Sequence, residues 1–405
     1  MKAVGVIVEY NPFHYGHAYH IKKAKEITGA EVVIAAMSGN FLQRGEPALV
    51  SKWVRTEMAL KGGVDLVFEL PYTFAVQKAD TFAKGAVSLL DLAGCDAICF
   101  GSESGNIDDF YHTYDFLEKH QQNYDQAIRI FLNQGNSYPK ALSRAFQSLN
   151  PTENIIDLAL PNNILGFQYV SVAQKQQLKT KMVTIPRKSA NYHDEHFSTA
   201  PIASATSIRK ALFSLDQPIS SIQSYVPEST YELLLHYKKT NGYFHDWNMY
   251  WPYIKYSLLQ TSPEELRGIL EVEEGLENRL HSLAVKCESF TQFMNELKTK
   301  RYTWTRLQRI LTHILTHTKK KESVLTADKV SYLRLLGMTE LGRTYLNRLK
   351  KDCPIPIVSK RSSFSHPQIT IDTKAARIYA IGLSDPFKQK AIDLEYTQQP
   401  IYVRN

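Results

Sequence analysis

Lys2-Ala3-Val4-Gly5-Val6-Ile7-Val8, followed by Glu9-Tyr10-Asn11-Pro12 and then His14-Tyr15-Gly16-His17, is the stretch on which the fold turns. The run Ala3–Val8 is continuously apolar and β-branched rather than alternating, which predicts a central parallel strand covered on both faces. Asn11 and Pro12 break the strand, and Ala18 to Glu26 is rich in helix-favouring residues. The order strand, tight loop, helix places the loop at the carboxyl end of a strand, where the free N–H groups of the following helix favour an anion. His14 and His17, three apart at the helix start, project to one side and can donate to phosphate oxygens. Gly16 between them has no Cβ and lets a ligand approach the backbone. Capping and packing are the alternative roles for the two histidines.

Outward from this segment the alternation continues. Val32–Met37 reads as a second strand, followed by a loop with Gly39 and Arg44 and a helix capped by Ser51. Val64–Leu70 is a third strand, Ala79–Leu92 a helix, Ala97–Phe100 a fourth strand ending at Gly101, and Met182–Ile185 a fifth. The pattern predicts an α/β fold, a Rossmann-like doubly wound parallel sheet. Gly101 is either a turn residue or a place where a base or ribose lies on backbone. Asn162, beside the helix Asn163–Gln174, either caps it or bonds a nucleotide. Arg187 and Lys188 bring two cations to the same rim, a suitable pair for polyphosphate. Ser204-Ala205-Thr206-Ser207-Ile208-Arg209-Lys210 offers hydroxyls, backbone N–H groups and an arginine at a helix start.

At 405 residues with 43% hydrophobic content, the chain suits two or three domains with ordinary cores. No run approaches the ~18 apolar residues of a membrane span, and no signal-peptide pattern opens it, so no membrane association and a cytoplasmic location are expected. Cys95, Cys99, Cys287 and Cys353 lack paired spacing, which argues against a zinc knuckle or disulfide framework and predicts buried thiols. No protein-held metal is expected. Residues 1–215 carry 21 basic and 20 acidic side chains, whereas 216–405 carry 27 and 20, so +7 of the net +8 lies in the second part. Residues 298–351 alone hold 14 basic and 3 acidic groups. Such a cluster repels itself unless an anion offsets it, and nucleic acid is the first candidate.

The two phosphate-type segments together resemble the nucleotidyltransferase superfamily that carries an H-x-G-H signature and a later S/T-x-x-R signature. Gly5-Val6-Ile7-Val8-Glu9-Tyr10-Asn11-Pro12-Phe13-His14, Met37-Ser38-Gly39-Asn40-Phe41-Leu42-Gln43-Arg44-Gly45-Glu46-Pro47-Ala48, Phe100-Gly101-Ser102-Glu103, Pro161-Asn162-Asn163, Ser204 to Arg209 and Leu336-Gly337-Met338-Thr339 are similar to the bacterial tRNA(Met) cytidine acetate ligase family. The resemblance spans nearly the whole chain. It implies a HIGH-type nucleotidyltransferase fold and an enzyme that uses ATP and acetate to form N4-acetylcytidine at the wobble position of elongator tRNA(Met), through an acetyl-adenylate. It further implies an ATP site of Ile7, Val8, Glu9, Tyr10, Asn11, Pro12, Phe13, His14, Tyr15, Gly16, His17, His20, Gly101, Asn162, Arg187, Lys188, Ser207 and Arg209. His14, His17 and Arg209 are the expected catalytic groups. The K-M-S-K-S loop of class I aminoacyl-tRNA synthetases is absent, which argues against amino-acid charging.

The chemistry is coherent with these residues. Attack of acetate on the α-phosphate disperses charge that calls for fixed cations and donors, a role expected of His14, His17, Arg187, Lys188 and Arg209. Magnesium is expected with the triphosphate rather than in a cage of its own.

From Pro227 to Lys351 the pattern is largely helical. In Tyr302–Thr318, Leu307, Leu311, Ile314 and Leu315 fall on one helix face and Arg306, Arg309, His313 and His317 on another. Arg306, Arg309, Lys319, Lys320 and Lys321 are therefore candidate tRNA contacts, with a plain solvated surface as the other reading. Tyr302 and Trp304 either stack on unpaired bases or pack. The expected division is a catalytic domain at 1–215, a helical basic tRNA-binding domain at 216–353, and a tail at 354–405 that packs on the others. In that tail Ile355–Val358 and Ile369–Ile371 read as short β runs. Two further functions stay open: a small-molecule adenylyltransferase of the same superfamily, and a non-catalytic RNA-binding protein.

Overall fold

A computed structural model describes residues 1–151, 154–187, 203–214, 218–273 and 275–404. Ala3–Val8 (β1) lies between two parallel neighbours, Val32–Ser38 (β2) and Ala97–Ser102 (β4). Leu66–Leu70 (β3) continues the sheet beyond β2, and Lys181–Pro186 (β5) beyond β4, all parallel. The order β5-β4-β1-β2-β3 reverses direction between β1 and β4, which is where a doubly wound sheet opens its ligand crevice. Val4 and Val6 are fully buried, as are Ala3 and most of β2. Burying each valine contributes ~1.5–3 kcal/mol, so continuous apolar strands are stable only with helices on both faces.

One face packs against the helices Ala79–Leu92, Pro161–Lys175 and Glu340–Asp352. The other packs against Tyr15–Thr28, Lys52–Lys61, Ala205–Phe213 and Glu228–Asn241. Ser51 caps the helix at Lys52, accepting from Val54 N, as its position predicted. Three helices, Ile107–Lys119, Gln121–Asn133 and Tyr138–Ser148, follow β4 before the Pro161 helix.

The sheet does not stop at five strands. Leu333–Thr339 (β6) pairs antiparallel with β3, and Ile357–Val358 (β7) and Ile401–Val403 (β8) pair parallel with β6. The stretch read as largely helical thus donates a buried strand to the α/β sheet, because β3 would otherwise expose an apolar edge. Ile222, Val226, Leu234 and Phe244 also join the core on one face of the sheet, so this layer continues past the expected boundary at Leu215. A separate helical core begins near Trp247 and runs to Leu315. Phe41, Tyr72 and Val76 enter it from the first part, and Ile371, Ala375 and Tyr379 from the tail.

In the tail, the β reading holds only for Ile357–Val358. Ile369-Thr370-Ile371 lies in the helix Pro367–Ala380, opened by His366 accepting from Gln368 N and by Pro367. Three residues are too few to separate a period of 2 from one of 3.6. The tail packs firmly on the first part: Tyr72 N donates to Asp372 Oδ1 at 2.7 Å, Tyr379 Oη to the Ala48 carbonyl at 2.8 Å, and Lys52 Nζ lies 2.9 Å from Glu395 Oε2.

Candidate functional site

A cavity of about 380 Å³ opens at the carboxyl ends of β1, β4 and β5. Ile7 contributes from β1, Phe100 and Gly101 from β4, and Ile185, Pro186 and Arg187 from the end of β5. His14, Gly16, His17, Tyr19 and His20 come from the start of the first helix, Asn162, Leu165 and Tyr169 from the Pro161 helix, and Ala203 and Ser204 from the head of the Ala205 helix. The crevice therefore coincides with the reversal of strand order, and the N-terminus of the first helix is turned to it. A Cβ built on Gly101 would meet nothing within 4 Å. The glycine leaves open space for a ligand and is not required by a turn.

The two histidines are locked by backbone. His14 is the N-cap, and its Nδ1 accepts from Gly16 N at 3.0 Å, while His14 N donates to His17 Nδ1 at 3.2 Å. With both Nδ1 lone pairs occupied, each neutral ring carries its proton on Nε2. The rings stack 3.8 Å apart. Burial, with Arg187 adding to it, lowers the His14 pKa to about 4. Burial lowers His17 well below its ordinary range, reinforced by His14, His20 and Arg187, and lowers His20 to about 4. Of the fixed cations and donors that the sequence analysis asks for, His14 and His17 are neutral N–H donors at neutral pH. Two stacked imidazolium ions in a buried site would be too costly. Capping and ligand-facing roles, posed as alternatives from sequence, coincide in His14.

Charge at this rim comes from Arg187, which is exposed and bonded through Nη1 to Asn162 Oδ1. Asn162 Nδ2 donates to Glu103 Oε1 at 2.6 Å, and Glu103 also accepts from the backbone N–H groups of Asn162 and Asn163. Asn162 therefore does not cap its helix. Glu103 does so from the loop after β4, and Asn162 is left to orient Arg187. Lys188 lies outside the described residues.

Of the contiguous segment assigned to ATP, only part faces the cavity. Val8, Tyr10, Asn11, Pro12 and Phe13 are buried, and Tyr15 is not among the lining residues. A Cβ on Gly62 would strike the Phe13 ring at 2.3 Å, which shows how tightly that ring is packed. Glu9 belongs with the loop at 41–47, where Oε1 accepts from Gln43 N at 2.9 Å; burial raises its pKa. From sequence, Leu165 and Tyr169 were missed although they fall three and seven residues after Asn162 on one helical face, as were Tyr19, Phe100, Ile185 and Glu103.

Ser204 caps its helix by accepting from Ser207 N at 3.1 Å, and its Oγ is 2.8 Å from Ser207 Oγ. Arg209 turns away from the histidine cavity. Its Nη1 donates to the Asn11 carbonyl at 2.9 Å and its Nη2 to Glu46 Oε2 at 3.2 Å, so it lines a second cavity of about 400 Å³.

The basic cluster at 298–351 does not form one patch. Arg309, only 11% exposed at its side chain, makes a two-pronged pair with Glu271, and His313 is buried against Tyr72 Oη at 2.9 Å, with burial first and Arg309 second lowering its pKa to about 3. The polar face of the Trp304–Leu315 helix thus meets protein, and Arg309 is withdrawn as an RNA contact. Arg306 pairs with Glu273 at 3.5 Å and stacks over Tyr302, and Lys320 Nζ donates to the Val272 carbonyl at 2.8 Å. Lys319 and Lys321 are exposed. Arg334 is buried inside the sheet.

The profile of the family described as HIGH Nucleotidyl Transferase matches residues 1–393. The tRNA(Met) cytidine acetate ligase of Bacillus subtilis (strain 168) is 49% identical over 405 residues, covering 99% of this chain and 97% of the relative. Two crystal structures of Thermotoga maritima TmcAL align over 100% of both chains: one bound with alpha-thio ATP (Form II), at 30% identity and a TM-score of 0.89, and one apo (form I), at 32% and 0.90. A parallel sheet with an H-x-G-H helix start at its switch point, together with these likenesses over the full length, shows that the chain belongs to the HIGH nucleotidyltransferase family, among the tRNA(Met) cytidine acetate ligases.

Proposed function

We propose that this protein is an ATP-dependent tRNA(Met) cytidine acetate ligase that activates acetate as acetyl-adenylate and acetylates N4 of the wobble cytidine of elongator tRNA(Met). The observation that carries the reading is the cavity itself, in which three neutral histidines, an exposed arginine and a bare glycine converge at the switch point. A carboxylate oxygen of acetate attacks the α-phosphorus, the bond to the bridging oxygen breaks, and pyrophosphate leaves. Nε2–H groups of His14 and His17 suit the non-bridging oxygens, and Arg187, held by Asn162, suits the charge that grows on the departing group. A neutral donor has an advantage here: it holds a phosphate oxygen without capturing a proton.

In the second step the N4 lone pair of cytosine attacks the acetyl carbonyl, AMP departs with the bonding pair, and N4 loses a proton to solvent. N4 is weakly nucleophilic because its lone pair is delocalised into the ring, so the adenylate supplies the driving force and the protein supplies proximity. Among the described residues no group of three His, Cys, Asp or Glu side chains is placed to hold a metal ion. A magnesium ion would then be held by the phosphates.

Incubation with ATP, magnesium, labelled acetate and bulk bacterial tRNA, followed by digestion, tests the reading. Label in N4-acetylcytidine that depends on ATP is the expected result. Pyrophosphate release with another small substrate and no labelled nucleoside would favour the adenylyltransferase instead.

A further inference from the structure

Arg187 stands at the end of a chain of hydrogen bonds that starts two residues after the bare Gly101. Glu103, in the loop that follows β4, accepts through Oε1 from Asn162 N at 3.2 Å and Asn162 Nδ2 at 2.6 Å, and through Oε2 from Asn163 N at 2.7 Å. Asn163, 2% exposed, returns the contact: its Oδ1 accepts from Glu103 N at 3.0 Å and Ser104 N at 3.1 Å, while its Nδ2 donates to the Asp157 carbonyl at 3.2 Å. The backbone of Arg187 is tied to the same loop, its N donating to the Ser102 carbonyl at 2.8 Å. The end of β4, the start of the Pro161 helix and the end of β5 are thereby joined in one unit. Asn162 and Arg187 line the nucleotide cavity, and Glu103 is not among the lining residues.

The polarity of these groups leaves the Asn162 amide one orientation. An ionised carboxylate only accepts and a guanidinium only donates. Nδ2 must therefore face Glu103, and Oδ1 must face Arg187. The reversed amide would set oxygen against oxygen at one end and N–H against N–H at the other. The amide is also neutral. A carboxylate in its place would hold Arg187 equally well but would cancel the charge that a triphosphate needs. Among the described residues the Arg187 guanidinium bonds only the amide oxygen. The charge of Glu103 is itself met by three N–H groups, two of them backbone groups at a helix N-terminus.

We infer that Glu103 is a positioning residue of the nucleotide site: it fixes which way the Asn162 amide lies, and so aims Arg187 at the phosphates without touching them. The inference rests on the reading of the histidine cavity as the ATP site and names the residue on which phosphate recognition there depends.

Glu103→Gln tests it, because the size is kept while one acceptor becomes a donor. Either the Asn162 amide then turns over or the Asn163 N–H loses its acceptor. Binding of ATP and of adenosine is measured for the full-length wild type, Glu103→Gln, Arg187→Ala and the double variant. Glu103→Gln should weaken ATP about tenfold and adenosine by less than about twofold. In the Arg187→Ala background, where there is no guanidinium left to aim, it should change ATP affinity by less than about twofold. Adenosine binding confirms that each variant is folded; if Glu103→Gln does not fold, Asn162→Ala, which cuts the chain at its middle, decides by the same comparison. Equal losses for ATP and adenosine, or the same loss of ATP in both backgrounds, would make Glu103 a helix cap alone and overturn the inference. Arg187→Ala that loses ATP while Glu103→Gln stays within about twofold of wild type would also overturn it and leave the ATP site standing. Arg187→Ala that keeps full ATP affinity would overturn both.

Discussion

Replacing Lys52 by methionine should destabilise the fold by about 3–5 kcal/mol, the loss that follows when one partner of a buried ion pair is removed. The structure sets this size. Lys52 is fully buried, with Nζ 2.8 Å and 2.7 Å from the two Glu69 oxygens and 2.9 Å from Glu395 Oε2. Methionine fills nearly the same volume, so the deficit comes from two carboxylates left without their ammonium. The other cation of the cluster, Arg334, is 1% exposed, and none of its three guanidinium nitrogens has a hydrogen-bond partner among the described residues. Burial already raises the Glu395 pKa, and Lys52 is the chief opposing influence. In the variant that pKa climbs further. An acid whose folded-state pKa is raised gains stability as pH falls through that pKa toward the unfolded value, so the deficit relative to the parent should shrink from pH 8 to pH 5. Urea unfolding of both proteins at the two pH values measures it. A deficit below about 1 kcal/mol at pH 8, or one that does not shrink at pH 5, refutes the reasoning. Adding Glu69→Leu and Glu395→Leu to Lys52→Met should restore most of the loss, because the unpaired charges leave with their partner.

Gly101→Leu should raise the KM for ATP by at least about tenfold without moving the melting temperature, since the space above Gly101 is empty of protein; unchanged ATP affinity would remove the nucleotide from that cavity. Replacing Lys319 and Lys321 by alanine should weaken tRNA binding and flatten its salt dependence, whereas Lys320→Ala, whose ammonium is tied to the Val272 carbonyl, should do less; an unaltered salt slope would place the RNA elsewhere. The folded-state pKa is lowered to about 4 for His14 and His20 and to about 3 for His245 and His313, in each case chiefly by burial. The unfolded chain therefore takes up protons first, so stability is intact above about pH 6.5 and falls below it by about 1.4 kcal/mol per pH unit for each histidine. Asp372, raised by burial to about 7, opposes this, as do Glu9 and Glu395, whose carboxyl pKa burial also raises. Chemical unfolding at pH 7, 6 and 5 checks the net sign, and a rise in stability from pH 6 to 5 would contradict it.

The first strands and the histidine helix start beside them were legible because their signals are local. A continuous β-branched run, an interrupting Asn-Pro and a histidine N-cap lie within seventeen residues, and their physics is complete there. Other features depended on chain segments that meet only after folding. Arg309 and His313 fell on the polar face of an amphipathic helix, and a helical wheel assigns such a face to water; here it is met by Glu271 and Tyr72. Thr312 on the same helix donates to the Gly45 carbonyl, and a Cβ on Gly45 would strike Arg309 N at 2.3 Å, so that loop lies flush on the helix. The charge state of His14 and His17 was illegible for a related reason. Residue type gives an ordinary pKa near 6.5, and only the depth of the crevice and the stacking of two rings push it down.

The insertion of β6 beside β3 bears on how the chain is made. Thr339 Oγ1 bonds Asp65 Oδ1 across 274 positions of sequence, so the ribosome completes the parallel sheet long before it delivers the strand that seals it. At about 5–20 residues per second the wait from the end of β5 at Pro186 to the start of β6 at Leu333 is roughly 7 seconds to half a minute. Throughout that interval the nascent chain carries an apolar, unpaired strand edge of the kind that templates aggregation. The protein is therefore expected to depend on chaperones during synthesis more than its finished, closed sheet suggests, and truncations that end before Leu333 should be insoluble even though they retain every residue that lines the histidine crevice.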